Sequence, residues 1–205
     1  MSSRCCSNRP PVCVAATKLR KWLDAGGKGV LTLVREDFDD NEFSLSRLLF
    51  SGPLPERLAQ RWRSFCAWMG HYTPFTGWKE FWFRRAGVNI GKNVFFSPGA
   101  EIDLLFPQLV TLEDGAVMGL GALIVAHVYT PDKIVVARAT VKRDGLVGGR
   151  AILAITTIGE EGILAPISCT MLPVPEGNIA VGVPAVCHER KAYAAKKEKE
   201  NDVRP

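Results

Sequence analysis

The sequence predicts a mainly β protein: a parallel β-helix wound from hexapeptide repeats, with a helical region before it and a short charged helix after it. Three observations predict this class. Large apolar residues recur every six positions, at Ile90, Phe96 and Ile102 and again at Leu112, Met118, Ile124 and Thr130. A small or branched residue follows most of these four positions later, as at Val94, Ala100, Ala116, Ala122 and Val128. A further set, Val135, Val141, Val147 and Leu153 with Ala139, Gly145 and Ala151, repeats the pattern. Neither a helical period nor simple strand alternation yields a repeat of six. A triangular coil does, because each hexad makes one flat side and one corner, with the aliphatic turned inward and the small residue at the corner. Stacked coils of this kind need caps at both ends.

The elements follow in order. Residues 1–87 are read as an N-terminal region that caps the stack or shapes specificity. It has a helical patch around Leu19, Trp22 and Leu23, the strand-like VLTLV and the acidic REDFDDNE. A helix over about 55–69 is predicted from Leu58, Trp62, Phe65 and Met69 at three- and four-residue steps, with Pro55 suited to a first turn. A second, over 77–86, has Thr76 as its N-cap, Trp78, Phe81 and Trp82 on one side and Gly87 as its stop. The aromatics of both helices are expected to pack over the end of the β-domain. That domain is placed at 88–184, interrupted by a loop at 103–109 around LLFPQ and out of step by one between Leu153 and Ile158. Residues 185–205, where lysines alternate with glutamates, read as a charged C-terminal helix and tail.

Composition bounds the function. The chain has 205 residues, 47% hydrophobic and 23% charged, which suits one domain with an ordinary core. No stretch is apolar for long enough to span a membrane, and the N-terminus lacks the apolar run of a secretory signal, so a cytoplasmic protein is expected. The six cysteines show no CxxC spacing, and the repeats hold a single histidine. No metal site is therefore predicted, since catalytic zinc wants three protein ligands. A formal charge of +5 favours anionic partners. Nucleic acid is not among those expected, because the basic residues form no aromatic-interleaved stripe.

The order of the motifs carries more than any single hexad. RRAGVNIGKNV, FPQLVTLEDGAVMG, the isolated histidine of IVAHVYT and the closing AVGVPA together resemble the hexapeptide-repeat acyltransferases, whose galactoside, maltose and xenobiotic O-acetyltransferases share a left-handed parallel β-helix. The likeness covers about residues 72–190. It implies a homotrimer, an acyl-CoA co-substrate (acetyl-CoA foremost), no permanently bound cofactor, and transfer to a hydroxyl or amine of a small molecule. Val128 stands where the family often carries an acidic residue, and the central hexads lack many of its Ile-Gly pairs. A non-catalytic or repurposed β-helix, as an oligomeric scaffold or in cofactor-free chemistry, is the alternative.

His127 is the fourth residue of its hexad, which turns it away from the prism interior. The resemblance makes it the general base, in a cleft between neighbouring β-helices. The chemistry suits an imidazole, which ordinarily titrates near ~6.5 and can accept a proton near neutral pH. Asp103, Glu113 and Asp114 are candidate substrate-binding carboxylates that orient the imidazole or the acceptor; the alternative is that they are solvated at corners. Lys142, Arg143, Arg150, Arg190 and Lys191 are candidates for the phosphates of acyl-CoA, against a role in solubility alone.

Overall fold

The computed structural model describes residues 14–38 and 54–193. Cys5, Cys6 and Cys13 among the six cysteines, the acidic run beyond Phe38 and the tail beyond Tyr193 lie outside them. After Gly87 the chain winds through strands of two to five residues that stack into three parallel sheets. The first wall stacks Asn89–Ile90, Val110–Leu112, Ala139–Val141 and Thr157–Ile158. The second stacks Phe95–Phe96, Val117–Met118, Leu146–Val147, Ile163–Leu164 and Asn178–Gly182. The third stacks Glu101–Ile102, Leu123–Val125, Ile152–Ala154 and Cys169–Thr170. The walls are visited in rotation, so three strands complete a turn and each turn rests on the one before.

The six-residue period is the cause of this stacking. Ile90, Leu112, Val141 and Ile158 are in register on the first wall, Phe96, Met118, Val147 and Leu164 on the second, and Ile102, Ile124 and Leu153 on the third. All are buried. Each such side chain contributes about 1.5–3 kcal/mol on burial. Two corners turn through a left-handed residue: Asn93, Gly115, Asp144 and Glu161 after the first wall, and Gly99, Gly121, Arg150 and Ile167 after the second. The third corner turns in this way only at Ile155. Both excursions of the chain leave from it, at 103–109 and at 126–138, and so everything extra gathers along one edge of the prism.

The second excursion corrects the predicted hexads. Thr130 and Val135 are not inward prism residues, and Val128 does not fill a corner. His127–Tyr129 pairs antiparallel with Lys133–Ala137, which pairs on its other side with Val30–Val34. The YTPD turn closes this hairpin, and in KIVVA Ile134 and Val136 are buried with period two, followed by the buried Ala137.

Among the described residues, three helices accompany the coils: α1 (Val14–Asp24), α2 (Leu54–Tyr72) and α3 (Thr76–Ala86). α2 and α3 lie against the first turn. The face they turn toward it is mostly small and polar, with Phe83 its buried aromatic: Gln60, Cys66, Ala67 and Gly70 from α2, and Lys79, Phe83 and Ala86 from α3. The Lys79 ammonium donates to the carbonyls of Gly70 (2.8 Å), His71 (2.9 Å) and Ala100 (3.3 Å), tying the end of α2 to the second corner. Burial pushes the Lys79 pKa down, opposed by the charge of Glu101. Of the aromatics expected to cover the coils, Trp62, Phe65, Trp78 and Phe81 instead stand exposed, and Trp82 only partly packs on the core. Gly70 is what admits the Phe83 ring between the two helices, since a side chain there would strike it. Thr76 is not the N-cap. Phe75 holds that position, and the Thr76 hydroxyl donates to the Phe96 carbonyl (3.0 Å). Gly87 ends α3 in the left-handed region (φ 95°), where no Cβ is needed.

The C-terminal expectation also needs correction. Ala185–Glu189 is a strand, antiparallel to Asn178–Gly182, and helical backbone begins only at residue 190. The turn at Val183–Pro184 reverses the chain onto the open edge of the second wall, whose backbone groups would otherwise go unpaired.

Candidate active site

The site grows from the third corner, where both excursions begin. Asp103 directly follows the inward Ile102, and His127 lies three residues after the inward Ile124, one turn further along the stack. The first excursion folds over the Asp103 carboxylate. Its Oδ1 accepts the N–H groups of Leu105 (2.8 Å) and Phe106 (3.0 Å), and its Oδ2 accepts the Ala126 N–H (2.7 Å). The fourth partner is His127, with Nδ1 at 2.6 Å from Oδ2.

This bookkeeping fixes the state of the imidazole. An ionised carboxylate is an acceptor only, with about four lone-pair sites. Three are filled by backbone donors, so the His127 Nδ1 in the fourth must carry its proton. In the neutral ring the lone pair then resides on Nε2. Asp103 is 2% exposed, and burial pushes its carboxyl up. The hydrogen bond and charge of His127, with the N–H groups of Phe106 and Ala126, outweigh that and hold the carboxyl below its usual range. The His127 side chain keeps 20% of its surface exposed. The buried Phe106 ring packs edge-on against the imidazole, at 5.6 Å between centroids, and limits its rotation. A carboxylate–imidazole pair with a protonated inner nitrogen and an outer nitrogen toward solvent can accept a proton from a bound group and return it.

The other predicted residues lie elsewhere. Glu113 and Asp114 occupy the corner after the first wall, where Glu113 accepts the Arg143 N–H (3.1 Å) and Asp114 the Lys92 N–H (2.7 Å). They brace coil to coil and do not touch the imidazole. Lys142 and Arg143 share that corner, and the Arg143 guanidinium pairs with Glu160 (2.7 Å). Arg150 is at the corner after the second wall, so the third wall alone separates it from the corner of His127. Arg190 and Lys191 are exposed beyond the last strand. Of the nine residues, the structure therefore brings Asp103 to His127, while Glu113 meets Arg143 at a different corner.

Sequence reasoning missed Phe106 and the Ala126 N–H. It also missed a groove of about 500 Å³ between α1, α2 and the first excursion, lined by Arg20, Gln60, Arg63, Phe106, Gln108 and Arg138 among others. Phe106 belongs both to this groove and to the imidazole's surroundings. The Gln108 Oε1 atom is buried there without a hydrogen-bond partner. Among the described residues, no group of three or more His, Cys, Asp or Glu could hold a metal ion.

The stacked walls can be set beside known proteins. No family model matches the sequence. The crystal structure of a hexapeptide-repeat acetyltransferase from Vibrio cholerae, VCA0836 in complex with acetyl coenzyme A, superposes with a TM-score of 0.55 at 16% identity, over 66% of this chain and 89% of that one. The fold is that of the hexapeptide-repeat acetyltransferases. A maltose O-acetyltransferase from Clostridium difficile superposes with a TM-score of 0.51 at 15% identity, over 72% of this chain and 97% of that one. In sequence, the chain is 24% identical over 118 residues to the putative acetyltransferase YvoF of Bacillus subtilis, which is 57% of this chain and 69% of that relative. The resemblance read from the motifs thus recurs in both sequence and fold.

Proposed function

We propose that this chain is an acyl-CoA-dependent acyltransferase, with acetyl-CoA the first donor to test, acting on a hydroxyl or amine of a small molecule. In this reading the β-helix is left-handed, the protein is a cytoplasmic homotrimer, and a neighbouring protomer closes the cleft over the exposed edge of His127. The observation that carries the proposal is the Asp103–His127 pair, whose hydrogen bonding leaves Nε2 as the proton acceptor. Both sequence and fold resemble acetyltransferases, which supports the same reading.

The reaction follows from that nitrogen. The acceptor's O–H or N–H gives its proton to Nε2 as its heteroatom bonds to the thioester carbonyl carbon. Asp103, already ionised, stabilises the imidazolium that forms. Collapse of the tetrahedral intermediate breaks the C–S bond, and the imidazolium returns the proton to the departing sulfur, releasing free CoA. No covalent acyl-enzyme is required. Asp103 is a positioning residue, because it acts through the ring. Lys142, Arg143, Arg150, Arg190 and Lys191 are the candidates for the phosphates of CoA, from this protomer or across a protomer boundary. Glu113 and Asp114 contribute by holding the coils in register. The groove beside Phe106 is where the N-terminal region shapes acceptor choice.

Two measurements test this reading. Acetyl-CoA should raise the melting temperature, as any ligand of the folded state alone must, and a panel of small alcohols and amines should contain one that triggers release of free CoA. Light scattering should return a trimer. No stabilisation by any acyl-CoA, or a monomer at micromolar concentration, would count against the proposal and favour a non-catalytic β-helix.

A further inference from the structure

The capping helices carry their largest apolar side chains on the wrong side for a core. On α2, Leu54, Leu58, Trp62, Phe65, Trp68 and Tyr72 are all exposed. At about 100° per residue they fall within a single stripe, opposite the buried Cys66, Ala67 and Gly70. Trp78 and Phe81 of α3 extend it, as does Phe75 at its cap. The rings form a continuous layer: Phe65 packs on Trp62 (5.8 Å), Trp68 (6.3 Å) and Trp82 (6.3 Å), Trp68 on Tyr72 (5.0 Å), and Phe81 on Trp82 (5.2 Å). Nothing described in the chain covers it.

Charge distinguishes among occupants. Apart from the buried Lys79 and from Arg63, which lines the groove beside Phe106, α2 and α3 carry four arginines against two glutamates. Both glutamates are paired, Glu56 with Arg20 (2.9 Å) and Glu80 with Arg84 (2.8 Å). Arg57 and Arg61 flank the stripe, and the Arg85 guanidinium lies over the Phe81 ring at 5.2 Å. A face of tryptophan, tyrosine and phenylalanine edged by arginine is the composition that settles at the boundary between lipid headgroups and acyl chains. The face is suited to lie on a bilayer rather than to cross it, because no helix among the described residues is long and apolar enough to span one.

We propose that the outward face of α2 and α3 docks the protein on an anionic lipid bilayer, with the aromatic rings in the interface and the arginines against the headgroups. The site is separate from the Asp103–His127 pair, so the proposal stands or falls without acyl transfer.

The test is co-sedimentation of the full chain with vesicles of phosphatidylcholine alone, or with about one-third phosphatidylglycerol added. Tryptophan emission should shift to the blue on binding. Binding should be strong only on the anionic vesicles and weaken as salt is raised. Trp68→Gln with Trp78→Gln should lower partitioning by about tenfold or more, and Arg57→Gln or Arg85→Gln by about fivefold each. Melting temperatures should change little, because these rings are outside the core; if a variant fails to fold, the lipid and salt dependence of the wild type still decides. Absence of binding to both vesicle types, or binding unaffected by all these variants, overturns the proposal. So does self-association that the tryptophan variant abolishes without any vesicle binding, which would make the face a protein contact.

Discussion

Replacing Asp103 by asparagine removes the charge from the site and keeps its shape. Four N–H donors converge on this carboxylate, from Leu105, Phe106, Ala126 and His127. An amide presents one oxygen with two lone pairs and turns an NH2 toward whichever pair it faces, so at least two donors lose their acceptor at a site 2% exposed. At about 1–3 kcal/mol for each buried group left unsatisfied, the variant should be about 2–5 kcal/mol less stable near pH ~7. For a chain of this size that is a fall of about 5–15 °C in melting temperature. The pH dependence carries the sign. The folded Asp103 pKa lies below its ordinary value, so its stabilisation is full above about 4 and is lost as pH falls through the folded value. Asparagine has no such titration, and the gap between wild type and variant should therefore narrow below about pH 4. Turnover should also fall, by about 10²–10⁴-fold, because the wrong imidazole tautomer is then favoured. Calorimetric melts of both proteins across pH would measure the first effect. Equal stability near neutrality, or a gap that does not change with pH, would refute the hydrogen-bonding scheme on which the mechanism rests.

Other residues give independent outcomes. A Cβ at Gly119 would sit 2.5 Å from the Gly149 nitrogen of the next coil, so Gly119→Ala should cost about 1–3 kcal/mol in denaturant unfolding. Ile167 holds a left-handed backbone (φ 58°) at a 72% exposed corner, where a β-branched residue is strained; Ile167→Asn should raise stability by about 1 kcal/mol. Lys79→Met leaves three carbonyls at the end of α2 and the second corner without their shared donor, while relieving the burial of a charge. A net loss of about 1–3 kcal/mol is expected, read by thermal melting.

Much of the fold could be read from the sequence, for a physical reason. The hexads at Ile90, Leu112, Val141 and their partners are repetitive because every coil solves the same packing problem, and repetition is visible in a linear string. The step of five between Leu153 and Ile158 is likewise real. The excursion at 126–138 was hidden because Val128, Thr130 and Val135 fall by chance at repeat spacings, while the alternation that makes KIVVA a strand is only five residues long. The outward aromatics of α2 show a related limit: periodicity identifies a face but not which way it points. His127 and Asp103 were both legible as candidates, one as the lone histidine of the repeats and the other as a carboxylate before LLFPQ. Their contact was not, because it depends on one coil resting on another across 24 residues of chain, as do the backbone donors that hold Asp103 ionised.

The central claim is that the Nε2 atom of His127 takes the acceptor's proton. It is tested most directly by acceptor-dependent release of CoA from acetyl-CoA, compared between the wild type and His127→Ala. The account predicts a loss of about 10²-fold or more in turnover. Stabilisation by acetyl-CoA should persist, and the melting temperature should fall only modestly, because Asp103 keeps its three backbone donors. Unchanged turnover with an authentic acceptor would contradict it, as would a collapse of stability that marks the ring as a structural residue.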